Sequence, residues 1–271
     1  MNRMSLVLAL ASVLCTAIPV HSQVPPSASE QVQVGPPPVR RAEPPSASAT
    51  AQELEKRGDA LRGEKAYLDA MDYYRAAISK TPRSAQLLNK MGITELSMQR
   101  FKEAKKDFEK AIRLDRQFAD AYNNLGVTEY LAKKYDRAIR QYEKAIGLNE
   151  ASASYYSNLG AAYFSKKEWE KASLAYSQAL RLDPDIFERT SRSGVIGQIS
   201  SPQDRAHFEY VLAKLYAKQG LADRSLECLR RAMEEGYQRI SDVYTDAEFG
   251  ELRKDPRFAQ LMAAKPSAIP E

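Results

Sequence analysis

The chain has 271 residues, 44% hydrophobic and 28% charged, which excludes a wholly disordered or collagen-like polymer and leaves apolar material for a real core. Forty Lys and Arg stand against 35 Asp and Glu, a net charge of +5 spread along the sequence rather than gathered in one run. That pattern reads as solvated helix surface, with pairs such as Glu103–Lys106 and Asp136–Arg140, and not as a nucleic-acid-binding tract.

Met1 to Ser22 reads as a secretory signal peptide. Arg3 supplies a positive start, and Leu6 to Ile18 forms an apolar run. The run is shorter than the roughly 20 apolar residues a spanning helix needs. Val20-His21-Ser22 offers small residues for cleavage after Ser22, so no stable membrane span is expected in the mature chain. Leu14 before Cys15 does not fit a lipobox. Loss of this segment leaves Cys228 without a second thiol, so no intramolecular disulfide can form. The expectation is an exported bacterial protein, periplasmic or secreted.

Residues 23–50 carry Pro25-Pro26, Pro36-Pro37-Pro38 and Pro44-Pro45, which forbid regular helix and predict a disordered or semi-rigid tether.

From Ala51 to Pro184 one pattern is written four times, at a step of 34 residues. Glycine recurs at Gly58, Gly92, Gly126 and Gly160. Alanine recurs at Ala70, Ala104, Ala138 and Ala172, and again at Ala77, Ala111, Ala145 and Ala179. One aromatic series is Tyr67, Phe101, Tyr135 and Trp169; another is Tyr74, Phe108, Tyr142 and Tyr176. Small residues suit the closest approach of two helices, and the aromatics are expected to fill the space between neighbouring repeats. The pattern predicts helix pairs at 51–62 and 67–80, 85–98 and 101–114, 119–132 and 135–148, and 153–166 and 169–182. Thr50 is the expected first N-cap. A hairpin of this kind cannot bury its apolar face alone, so stacking stabilises it.

These residues resemble the tetratricopeptide repeat (TPR) family. The fourth copy carries Tyr156, Leu159, Gly160, Tyr163, Ala172, Tyr176, Ala179 and Pro184; the second and third carry Glu95 and Glu129 where the tyrosine is expected. The resemblance implies an all-α helix–turn–helix solenoid, a right-handed superhelix with the first helix of each pair on the concave wall. By that resemblance the candidate partner-binding groove contains Asn89, Lys90, Asn123, Asn124, Tyr130, Asn158 and Phe164. An asparagine amide can accept from a peptide N–H and donate to its C=O, so Asn124 and Asn158 are expected to hold an extended backbone. The alternative use of these asparagines is capping or plain surface. Some relatives clamp a C-terminal carboxylate with basic residues; Glu55, Asp59 and Asp120 oppose such a clamp here.

Residues 185–204 break the phase and read as an insertion, either a docking element or a spacer. "Ser-Gly-Val-Ile-Gly" lacks the Lys-Ser/Thr ending of a phosphate loop. The pattern resumes with helices at 202–219 and 222–235, where Ala213 and Ser225 replace the usual glycine and alanine. Helices opening at Thr245-Asp246 and Asp255-Pro256 are expected to cap the last repeat through Ala264, with residues 265–271 frayed.

No catalytic constellation appears. His207 has no Cys or His neighbour at ligand spacing, and no Walker, HExxH or Gly-x-Ser-x-Gly pattern occurs. The reading is therefore a non-enzymatic scaffold of the cell envelope, without cofactor, metal or nucleic acid, that binds a protein or extended peptide in its groove. The alternative is an accessory subunit of a secretion, envelope or polysaccharide-export complex that docks through its convex face and insertion. The uncapped Ala51 end leaves self-association as a homo-oligomer open.

Overall fold

Cap and turn residues placed every 34 positions divide the chain into helices of nearly equal length. The computed structural model describes residues 41–190 and 201–264. The regular helices run α1 Ala51–Gly63, α2 Tyr67–Lys80, α3 Ala85–Ser97, α4 Phe101–Leu114, α5 Ala119–Leu131, α6 Tyr135–Leu148, α7 Ala153–Ser165 and α8 Trp169–Leu182. After them come α9 Ile186–Thr190, α10 Pro202–Lys218, α11 Ala222–Glu234 and α12 Pro256–Ala264. No strand occurs among the described residues. The signal-peptide segment, residues 23–40, residues 191–200 and the expected frayed tail at 265–271 lie outside them.

Thr50 opens α1 as expected. Its hydroxyl accepts from the Glu53 N–H at 3.2 Å, and the Glu53 carboxylate accepts from the Thr50 N–H at 2.7 Å. This reciprocal pair satisfies two N–H groups that the first turn otherwise leaves open. Residues 42–50, expected as the end of the tether, are instead held on the first repeat. The Tyr73 hydroxyl donates to the Glu43 carbonyl at 3.1 Å, and Lys80 Nζ donates to the Ala47 carbonyl at 2.8 Å. Ala42 and Ala49 pack against the apolar cluster of α1 and α2.

Each hairpin turns through one residue in the left-handed region: Lys65, Gln99, Lys133 and Lys167, with φ of 62°, 60°, 57° and 61°. At the first, Ala66 N–H bonds Leu61 C=O at 2.8 Å and Lys65 N–H bonds Arg62 C=O at 3.0 Å. That is the Schellman arrangement, which satisfies the last carbonyls of a helix. The fifth hairpin uses Gly220 at the same place, φ 75°.

Within a hairpin the two helices meet at the glycine. A Cβ built on Gly58, Gly92 or Gly126 would stand 2.5–2.7 Å from a ring carbon of Tyr74, Phe108 or Tyr142. These rings, and Tyr176 opposite Gly160, are fully buried, as are both alanine series. The expected close approach of paired helices is thus what the structure contains. In the fifth hairpin, Ala213 faces the same 16-residue offset as Leu229, and both are buried. The larger small residue is matched by a smaller large one. The Ser225 hydroxyl, buried, donates to the Ala213 carbonyl at 2.8 Å.

Neighbouring hairpins join through the second helix of one and the first of the next, as where Ala145 and Ile146 of α6 meet Tyr155 of α7. The series is interrupted after α8. The short helix α9 starts in phase for a fifth hairpin, and its Phe187 packs edge-on against Tyr176 at 5.3 Å. The helix that completes the hairpin with α11 is α10, after the phase break. Past α11, Thr245 does not open an α-helix. Three 3-10 turns run instead at Ile240–Tyr244, Ala247–Phe249 and Leu252–Lys254. Gly250 sits mid-segment, and the Arg253 guanidinium bonds the carbonyls of Val243 (2.8 Å) and Asp246 (2.9 Å), which fixes the tight turns. Val243, Phe249, Leu252 and Phe258 are buried and cover the last repeat, the role expected of a cap.

Candidate functional site

The candidate groove residues lie on the first helices, and hydrogen bonds between successive first helices connect most of them. Asn124 Nδ2 donates to Asn89 Oδ1 at 2.9 Å, and Asn158 Nδ2 donates to Asn123 Oδ1 at 2.9 Å. Asn123 Nδ2 donates to its neighbour's Asn124 Oδ1 at 3.2 Å. Four amides therefore form one relay from α7 through α5 to α3. Each inter-helix step spans 35 residues, one repeat plus one position. A position 100° further round the next helix faces back onto its predecessor.

The same offset governs three other rungs. Lys90 Nζ lies 2.6 Å from Glu55 Oε1 at that step, and 2.6 Å from Asp59 Oδ2 one helical turn further on, a step of 31. The Tyr155 hydroxyl donates to Asp120 Oδ1 at 2.5 Å, and Tyr130 and Ser165 hydroxyls share a bond of 2.9 Å. Burial would lower the affinity of Lys90 for its proton, but the hydrogen bonds to Asp59 and Glu55 outweigh it and raise it. Asp59 responds in the opposite sense. Burial pushes its carboxyl up, while Lys90 and the Tyr74 hydroxyl, 2.7 Å away, hold it below its ordinary value. Lys90 thus faces two carboxylates and offers a ligand no free positive charge.

The wall thus divides into three kinds of residue. Asn89, Asn123, Asn124 and Asn158 form the amide relay. Asn89 Nδ2 has no hydrogen-bond partner among the described residues, and neither has Asn158 Oδ1, so the relay has an open donor end and an open acceptor end. Ile93, Val127 and Leu131, half-buried, flank it. Tyr130 is buried apart from its hydroxyl contact. Phe164, expected to line the groove, is 3% exposed and packs against Trp169, His207 and Phe208 at 4.8, 5.5 and 5.9 Å. It serves the core, because the phase break brings α10 over it.

The same break makes a concavity that sequence reasoning missed. A cleft of about 690 Å³ opens between α8, α10 and the 3-10 turns, with Trp169, Leu174, His207, Tyr210, Lys214 and Tyr237 among its walls. Counted from Ala213 as the glycine equivalent, Tyr210, Val211 and Lys214 hold the positions of Asn123, Asn124 and Val127. The wall face of the first helices therefore continues into the cleft. His207 lies 4.3 Å from Trp169 and stacks on Tyr237 at 5.6 Å, and Tyr210 stacks on Tyr237 at 4.4 Å. Burial lowers the His207 pKa; Asp204 opposes this and Arg239 adds to it. The Tyr210 hydroxyl donates to Asp246 Oδ2 at 2.8 Å, and Lys214 Nζ lies 2.9 Å from the same oxygen. No signal in the sequence marks this cleft, since its walls come from elements on either side of an irregular segment. Cys228 is buried against the last hairpin, and burial pushes its thiol far above the ordinary value, as suits a packing residue.

Among the described residues no helix is long and apolar enough to cross a membrane, and no group of three His, Cys, Asp or Glu could hold a metal ion.

No curated protein matches the chain. Similar solved structures include a crystal structure of MamA, 24% identical over 66% of this chain and 93% of that one, with a TM-score of 0.47. Another is MamA from residue 41 to the end, from Desulfovibrio magneticus RS-1, 18% identical over 70% of this chain and 97% of that one, TM-score 0.49. A third is the first TPR of Spaghetti (RPAP3) bound to the HSP90 peptide SRMEEVD, 21% identical over 46% of this chain and 92% of that one, TM-score 0.38. Sequence models of the tetratricopeptide repeat match residues 89–148 and residues 153–186. With the 34-residue step, the glycine–ring contacts and these matches together, the chain carries tetratricopeptide repeats in an all-helical solenoid.

Proposed function

We propose that this chain is a non-enzymatic scaffold of the cell envelope that binds an extended segment of a partner protein along the first-helix wall. The observation that carries the reading is the amide relay from Asn158 to Asn89. Its open donor and open acceptor match the alternating C=O and N–H of an extended backbone, which gives affinity without reading side chains. Ile93, Val127 and Leu131 add apolar contact, and the aromatic cleft beyond α7 offers a seat for one partner side chain. Repeats of this kind stack into long concave surfaces suited to such ligands. Export is supported by Arg3, the Leu6–Ile18 run and Val20-His21-Ser22.

The test is capture of partners from a bacterial envelope extract, followed by affinity measurement with the double variant Asn124→Ala, Asn158→Ala. The expected result is at least tenfold weaker binding with an unchanged circular dichroism spectrum. Unchanged affinity for the captured partner overturns the groove reading. A partner lost instead on substitution of Trp169 and Tyr237 favours docking at the phase break, the second reading. N-terminal sequencing of the envelope-fraction protein should begin at Gln23; a retained Met1 overturns export.

A further inference from the structure

The net charge that looks dispersed in the sequence is gathered by the fold. Positions that recur every 34 residues fall on one edge of a stack of hairpins, and the turns between paired helices all lie on the same edge. Residues 99–106 and 133–140, the turn and first helical turns of α4 and α6, hold Arg100, Lys102, Lys105, Lys106, Lys133, Lys134, Arg137 and Arg140 against only Glu103 and Asp136. Arg100 pairs with Glu95 at 3.6 Å and Lys105 with Glu129 at 2.5 Å, which leaves six cations of these windows to face solvent. The corresponding windows 65–72 and 167–174 carry no such excess.

The expected neutralising pairs do not form. Asp136 bonds Lys166 at 2.7 Å instead of Arg140, and Lys166 also bonds Glu168 at 2.5 Å. Lys102, Lys106, Lys133, Lys134, Arg137 and Arg140 are exposed and have no ion pair among the described residues. Lys133, Lys134, Arg137, Arg140 and Lys166 border one shallow hollow of about 550 Å³. Neighbouring helices pack about 8–10 Å apart, within the Debye length of about 10 Å at 0.1 M salt, so the cations of adjacent repeats act on a ligand together.

A second feature shares the edge. Among the exposed large apolar residues of the described chain, Leu68, Phe101 and Leu174 are 44%, 40% and 72% exposed and lie in the first two turns of second helices, whereas Leu114 and Leu182 end such helices at 40% and 38%. Leu174 stands where the other repeats have Asp72, Lys106 and Arg140. Cations interleaved with exposed aromatic and leucine side chains suit an anionic lipid surface, where charge attracts and apolar tips enter the headgroup boundary. A soluble polyanion would use the cations and leave the apolar tips in water.

We infer that the edge formed by the turns of repeats two to four docks the protein on an anionic membrane surface. The docking is peripheral and uses no residue of the amide relay; Leu174 borders both this edge and the aromatic cleft, so the cation variants, which lie outside the cleft, are the ones that separate it from the groove reading. The test is co-sedimentation of the full chain with vesicles of phosphatidylglycerol and phosphatidylcholine, against phosphatidylcholine alone, at 0.1 M salt. The apolar run Leu6–Ile18 is common to every variant and cancels. The quadruple variant Lys133→Gln, Lys134→Gln, Arg137→Gln, Arg140→Gln should bind anionic vesicles at least about 100-fold more weakly. A control that removes the same charge from the opposite edge, at Arg83, Arg113, Arg116 and Arg181, should lose far less. The pair Phe101→Ser, Leu174→Ser should lower the binding that survives 0.5 M salt. Equal losses in the quadruple variant and its control overturn the proposal, as does retention on heparin with no binding to anionic vesicles.

Discussion

The ring of Tyr142 lies so close over the backbone of Gly126 that an added Cβ would meet Tyr142 Cε1 at 2.6 Å. The ring is fully buried and cannot swing aside. Gly126→Ala should therefore destabilise the protein by about 1–3 kcal/mol, although alanine is the better helix former. The fifth hairpin solves the same contact with Ala213 and Leu229. The double variant Gly126→Ala, Tyr142→Leu should recover at least half of the loss. Urea denaturation of the two singles and the double measures it, and strictly additive losses would reject the paired-volume argument.

Tyr142 and Tyr74 occupy equivalent positions, yet their hydroxyls differ. That of Tyr74 donates to Asp59, whereas those of Tyr142 and Tyr176 are buried with no partner among the described residues. An unpaired buried hydroxyl costs about 1–3 kcal/mol. Tyr142→Phe should leave stability unchanged or raise it by about 1 kcal/mol, and Tyr74→Phe should lower it by about 1 kcal/mol. Thermal melts of the two variants separate these outcomes, and equal shifts would contradict the assignment.

Gln99 holds φ at 60° in a turn where Gly220 serves the fifth hairpin. A side chain in the left-handed region costs about 1 kcal/mol, which glycine avoids. Gln99→Gly should stabilise by about 0.5–1 kcal/mol, and Gly220→Ala should destabilise by a similar amount. Denaturant midpoints are the measure. Loss of stability in Gln99→Gly would mean that the Gln99 side chain contributes more than its backbone costs.

His207 sits among Trp169, Phe164 and Tyr237, with Asp204 and Arg239 as the charged groups that act on it. Burial depresses its folded pKa below the ordinary 6.5. Between the folded and unfolded values the unfolded chain binds more protons, so stability is present above pH 6.5 and declines as pH falls through that window. His207→Phe keeps the ring packing and removes the proton site. The difference in stability between wild type and this variant should shift in the variant's favour from pH 7 to pH 5. A pH-independent difference would show that His207 takes up its proton alike in the folded and unfolded chain, and that burial does not depress its pKa.

Much of this molecule is legible in its sequence. Gly126, Gly160 and the alanine rows mark where paired helices touch, because that contact recurs within one 34-residue unit; Tyr142 and Tyr176, expected between repeats, lie instead against those glycines inside the hairpin. The helix ends followed from the same local chemistry, as at Thr50. The candidate groove was legible only in part. Asn89, Asn123, Asn124 and Asn158 are legible as positions on first helices, but their bonds to one another follow a step of 35, which no single repeat contains. Phe164 was misplaced because α10 covers it after an irregular segment.

The repeating unit is written in the amino-acid order, since its period and small residues answer to contacts inside each hairpin. How units meet emerges on assembly: which amides bond each other, where α10 leaves a cleft, and which edge collects Lys133, Lys134, Arg137 and Arg140. Those relations depend on the rotation and offset from one hairpin to the next. That offset is a sum of side-chain packings across the stack, so it becomes visible only when the units are assembled.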